Sequence, residues 1–196
     1  LLSHQAGLAA LDEVVDVVDY AAIVRALEKQ RPLWSPGTGH GYHARTFGFL
    51  LDELVRRIDS RPISEYWRDV FAEPLGLDIW IGLPMEENAR VATIYAARAS
   101  DAPTDAFFQA LNTPGTLQRR VFSSPQGLNA VSAMNALENR TRSFVSFGGV
   151  GSAPSLANFY ALPPNGRAPG GHRFSSPKPL ATLPTTFAAG PAGGCL

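Results

Sequence analysis

Cysteine is nearly absent from this chain. Cys195, next to the end, is the single one, so no internal disulfide and no multi-thiolate metal site can form, and a reducing, cytoplasmic setting fits this usage. An excess of either charge is lacking too. Lys plus Arg and Asp plus Glu both number 17, for a formal net charge of +0. No basic block and no interleaving of basic with aromatic residues occurs, which argues against nucleic acid as a partner. No uninterrupted apolar run approaches the roughly 20 residues of a membrane span. Leu1-Leu-Ser-His4 offers neither an initiator Met nor a signal-peptide pattern, as expected for a piece of a longer protein. What is present is globular in kind: 196 residues, 45% hydrophobic and 17% charged, enough for one domain or two small ones with a sizeable core.

One stretch organises the rest. In Trp34 to Phe49, Pro36, Gly37, Gly39 and Gly41 keep the backbone irregular up to Tyr42. From about Ala44 the pattern becomes helical. Phe47, Leu50, Leu51, Leu54, Val55 and Ile58 fall at i, i+3, i+4, i+7, i+8 and i+11, which predicts one buried helix face. Asp52 with Arg56, and Glu53 with Arg57, form acid-first i,i+4 pairs on the opposite face, each worth a few tenths of a kcal/mol. Tyr42 thus stands at the joint between a glycine-rich loop and a strong helix, and is the candidate for chemistry.

Elsewhere, Asp19 is positioned to cap a helix from Tyr20 to Gln30 with Ile23, Ala26 and Leu27 inward. After Asp59-Ser-Arg-Pro62, a second amphipathic helix shows Ile63, Tyr66, Trp67, Val70 and Phe71 on one face, and Pro74 with Gly76 ends it. That aromatic stripe reads as core. Short strands are expected over Asp78 to Leu83 and Val91 to Tyr95. Helices are expected over Ala106 to Leu111, over Leu128 to Leu137, and from a Ser152 cap through Leu162 with Leu156, Phe159 and Tyr160 buried. Turns separate them at 112–115 and 123–127. A short helix is expected near Lys178 to Leu183, and a disordered tail at the end.

Several segments, in this order, resemble the serine β-lactamase and penicillin-binding-protein superfamily, in its class C and esterase branch. They are Leu1-Leu-Ser-His-Gln-Ala-Gly-Leu8, Trp34-Ser-Pro-Gly37 followed by Tyr42-His-Ala44, Glu73-Pro-Leu-Gly-Leu77, Ile79-Trp-Ile-Gly-Leu-Pro84, and Gly149 to Tyr160. The resemblance covers most of residues 1 to about 183. It implies an α+β fold of the β-lactamase/DD-peptidase type, of which this chain holds mainly the helical region with few strands. In that family a serine in a Ser-x-x-Lys motif attacks a carbonyl and forms an acyl-enzyme, while the lysine and the motif tyrosine manage its proton. Serine is a poor nucleophile until a base takes its proton. Tyrosine, with an ordinary pKa of about 10, serves only beside a cation that stabilises its phenolate. Tyr42 matches the tyrosine.

The other family parts are not matched. Ser175-Ser-Pro-Lys178 fits the letters of Ser-x-x-Lys but follows Tyr42, in a proline-rich segment, and reads as a loop. No (Lys/His)-(Ser/Thr)-Gly triplet occurs. Ala44 stands where the family often has asparagine, which leans the implied activity toward ester hydrolysis rather than antibiotic hydrolysis. His40-x-x-His43 lacks the further ligands of a metal site, so no metal is expected, and His43 is expected to support the loop or the substrate. Gly148-Gly-Val-Gly151 is no nucleotide loop and reads as a turn into the Ser152 helix. Neither is there a Gly-x-Ser-x-Gly elbow.

The expectation is therefore a partial β-lactamase-related domain over 1–183 and a tail over 184–196. The function expected is that of a fragment of a serine carboxylesterase, acting through an acyl-serine intermediate on a small-molecule ester or amide. The alternative is a catalytically inactive remnant or binding module of the same fold. No cofactor is expected, and the sequence does not specify an oligomeric state.

Overall fold

The computed structural model describes residues 1–97 and 106–162. The expected helix near Lys178, the tail, and Ser175 with Lys178 all lie outside the described residues.

Helix α1 spans Tyr20–Lys29, and the Asp19 carboxylate accepts a hydrogen bond from the Ala22 N–H at 2.9 Å, satisfying one of the orphan donors of the first turn. Ile23, Ala26 and Leu27 are buried, as their spacing requires. They pack with Leu11, Val15, Val17, Phe49 and Phe144 into the main core. Helix α2, Thr46–Asp59, follows the Tyr42 loop.

The face that α2 buries is not the one its apolar spacing predicts. Thr46, Gly48, Phe49 and Asp52 are buried, whereas Leu51 is only half-buried, Leu54 is 42% exposed and Ile58 is 77% exposed. Two contacts turn the helix. A Cβ on Gly48 would lie 2.5 Å from the Ser146 backbone N, so glycine alone allows the helix to touch the 144–148 turn. Asp52 is drawn inward because its carboxylate accepts from the Ile63 N–H at 2.6 Å and from Arg56 Nε at 2.8 Å. Contacts distant in sequence have thus overridden the hydrophobic stripe.

Helix α3, Ile63–Trp67, continues into a wider π-type turn over Arg68–Ala72. Trp67 stacks on Phe71 with ring centroids 5.4 Å apart and meets Phe159 edge-on at 5.1 Å. Strand β1, Ile79–Ile81, pairs antiparallel with β2, Gly149–Gly151, with Trp80 opposite Val150. The Gly149 stretch is therefore a strand, not merely a turn. Residues 91–95 form no strand; Ile94 instead exchanges backbone bonds of 2.8 Å with the Asn135 side chain.

Helix α4, Ala106–Asn112, leads through a turn into α5, Leu117–Ser123, whose Thr116 cap was not anticipated from the hydrophobic pattern. The helix expected from Leu128 to Leu137 is a 3₁₀ turn over Val131–Asn135 followed by the single-turn α6, Leu137–Arg140. Helix α7, Ala153–Tyr160, is capped by Ser152, but Ser155 is its buried residue while Leu156 and Tyr160 are 51% and 80% exposed. Ser155 is held inward because its hydroxyl accepts from the Asp78 N–H at 2.9 Å. Mostly helical with a two-stranded sheet, the described chain is α+β. No helix among the described residues is long and apolar enough to cross a membrane.

Candidate active site

The first eight residues form one wall of the Tyr42 loop. Leu33 N–H donates to the Gly7 carbonyl at 2.7 Å, Gly37 N–H to Gln5 at 3.1 Å and Gly41 N–H to His4 at 3.1 Å. Gly7 has φ +72°, and a Cβ there would sit 2.6 Å from the Trp34 carbonyl oxygen, so the close approach of the two segments depends on glycine.

His43 locks this arrangement. It is fully buried, its Nε2 accepts from the Leu8 N–H at 3.0 Å, and its Nδ1 lies 2.6 Å from the Gly41 carbonyl. The donor Leu8 N–H requires a bare Nε2, so the Nδ1 carries the proton and donates to Gly41. Burial pushes the His43 pKa below its ordinary value, against the opposing pull of the Gly41 carbonyl. The backbone N–H of His43 in turn donates to His4 Nδ1 at 3.2 Å, and burial lowers the His4 pKa as well. Thr46 Oγ donates to the Leu8 carbonyl at 2.7 Å, tying the start of α2 to the same segment.

Tyr42 is consequently held at the surface while its neighbour is buried. It is 46% exposed, with its ring edge-on to His4 at 5.2 Å and 6.2 Å from the ring of Phe122 on α5. It lines an open cleft of about 900 Å³, together with Arg45, Phe122, Met134, Ser146 and Phe147. The structure thus brings Tyr42 and His43 to one site with divided positions: the phenol faces the cleft and the imidazole faces the interior. His40, half-buried, does not line the cleft.

Arg45 and Ser146 shape this cleft without any signal in the periodic patterns. Arg45 Nη1 donates to the carbonyls of Pro125 at 2.8 Å and Gly127 at 2.6 Å, and Nη2 to Leu128 at 3.3 Å. One side chain from the start of α2 therefore pins the opposite rim. Ser146 Oγ accepts from the Gly48 N–H at 2.6 Å and donates to the Arg45 carbonyl at 3.3 Å. These are contacts across 80 to 101 residues of sequence, which local spacing does not encode. Among the described residues, no lysine lines the cleft. The Tyr42 phenol lies at the cleft, and the cations in the described lining are Arg45 and Arg119.

This mostly helical α+β body has counterparts among known proteins. The Beta-lactamase family model matches residues 1–195, and the chain belongs to that family. It is 29% identical over 182 residues to the esterase/beta-lactamase LipL of Mycobacterium tuberculosis, a match covering 90% of this chain and 42% of that protein. Among solved structures, a penicillin-binding protein homolog from Caulobacter crescentus superposes with a TM-score of 0.70 at 32% identity, over 92% of this chain and 46% of its own. A family VIII carboxylesterase does so with a TM-score of 0.75 at 28% identity, over 95% and 48%. The chain spans about half the length of the relatives it matches.

Proposed function

We propose that this chain supplies the tyrosine-bearing half of a serine carboxylesterase domain that works through an acyl-serine intermediate. The observation that carries the reading is Tyr42, exposed at the cleft while His4, His43 and Thr46 are engaged in holding its loop. In this role the Tyr42 hydroxyl relays the proton between the attacking serine and the leaving alkoxide. A lysine beside it favours the phenolate, and both serine and lysine come from polypeptide beyond the described residues. Membership of the family and similarity to an esterase/beta-lactamase and a carboxylesterase support ester cleavage. Ala44, in the position next but one to Tyr42, removes an amide that would contact a β-lactam side chain and favours a simpler ester.

The division of labour has a direct test. The 196-residue chain alone is expected to leave p-nitrophenyl butyrate unhydrolysed and to take no label from a fluorophosphonate, which marks activated serines. Joined to the remaining half of the domain, it is expected to gain both, with the label on a serine outside residues 1–196. Turnover by the chain alone that disappears in Ser175→Ala would place the nucleophile inside it and overturn the reading.

A further inference from the structure

The cleft beside Tyr42 carries a local charge that the chain as a whole does not. Arg45 and Arg119 both line it, and among the described residues neither aspartate nor glutamate does, although acids and bases balance at 17 each over the whole chain. Arg56, Arg57, Arg61, Arg68, Arg90 and Arg120 each have a carboxylate within ion-pair distance. Arg45 and Arg119 have none among the described residues. Arg45 is already occupied, with three carbonyls around its guanidinium. Arg119 differs: its Nη1 donates to the Asn112 carbonyl at 3.1 Å, and its other N–H groups have no protein acceptor among the described residues.

We propose that the cleft takes substrates bearing a carboxylate, and that Arg119 is the residue that binds it. The proposal rests on the reading of this cleft as the substrate site. Arg119 precedes Phe122 by three residues on α5, so the two share a face of the helix. Phe122 in turn faces the Tyr42 ring at 6.2 Å. Arg119, Phe122 and Tyr42 thus line the cleft together, and the apolar body of a substrate can lie on the aromatic ring between them in that lining. Leu111, Leu128, Val131 and Met134 complete that apolar surface. The planar fork of arginine matches a carboxylate in bidentate fashion. One free guanidinium suits a singly charged group, whereas a phosphate dianion calls for a cluster of cations. A concave wall with one sign of charge also raises the local concentration of such anions.

The test compares phenylbutyrate with its neutral amide, phenylbutyramide, as ligands of the 196-residue chain. Binding is followed by backbone amide shifts at low ionic strength in the wild type, Arg119→Gln and Arg119→Lys. The carboxylate is expected to bind roughly tenfold more tightly than the amide, a preference that salt weakens. It should vanish in Arg119→Gln and survive in part in Arg119→Lys, with melting unchanged because Arg119 is exposed and holds a single backbone partner. Equal binding of both ligands by the wild type, or a preference undiminished in Arg119→Gln, would overturn the role of Arg119 while leaving the cleft as the substrate site. Shifts that avoid Tyr42, Phe122 and Met134 for both ligands would instead remove the cleft itself, and the functional reading with it.

Discussion

Tyr42 and His43 are adjacent in sequence and opposite in circumstance, and the difference is physical. An imidazole with both nitrogens bonded to backbone holds a loop, and the phenol next to it is thereby aimed outward. His43 also makes stability depend on pH. Its native pKa lies below the ordinary 6.5, so as pH falls through that value the unfolded chain takes up a proton that the native chain refuses. Stability is therefore complete above about pH 6.5 and falls on acidification until the lowered native pKa is reached, by at most about 1.4 kcal/mol per pH unit for the one group. Urea midpoints at pH 7.5 and 5.5 should show the drop in the wild type and a smaller one in His43→Gln. A wild-type midpoint indifferent to this interval would mean that His43 protonates as readily folded as unfolded. At this scale the position of Tyr42, between a glycine-rich loop and a helix start, was legible because local residue types frame it. Arg45 and Arg119 were not, since a guanidinium's partners are chosen by the fold.

Element by element, capping chemistry read true, while face assignment held for α1 and failed for α2 and α7. Asp19 and Ser152 cap the helices their positions announce, because an N-cap bond is closed within three residues. The face of α2 failed because what it meets is distant: the 144–148 turn through Gly48, and the start of α3 through Asp52. Substitutions separate the two versions of this helix. Phe49→Ala should cost about 3–5 kcal/mol and Leu54→Ala less than about 1 kcal/mol, measured by urea unfolding, because only the former is buried. Gly48→Ala should cost roughly 1–3 kcal/mol, since its methyl group would displace Ser146. Losses in the reverse order for Phe49 and Leu54 would restore the hydrophobic stripe as the buried face.

The whole molecule belongs to the Beta-lactamase family yet spans 42% of one curated relative and 46% and 48% of two solved chains. The family was legible from ordered segments such as Leu1 to Leu8 and Tyr42 to Ala44, because each builds a contact in the fold: the first walls the loop and the second lies at the cleft. The α5 helix and the β1–β2 pairing partner were less so, since a seven-residue helix and three-residue strands carry too few periods to read. Exposed Leu54, Ile58 and Tyr160 show how much apolar surface the described chain leaves uncovered. Under the proposed function, catalysis belongs to the joined domain, and Tyr42 is the residue on which that proposal is tested. Tyr42→Phe keeps the ring that packs against His4 and Phe122 and removes only the hydroxyl. In the joined domain the measurement is the single-turnover rate of acylation by p-nitrophenyl butyrate, with melting recorded alongside. The rate should fall by about 10²–10⁴-fold with the melting transition unmoved, whereas acylation at the wild-type rate would contradict a proton-transfer role for Tyr42.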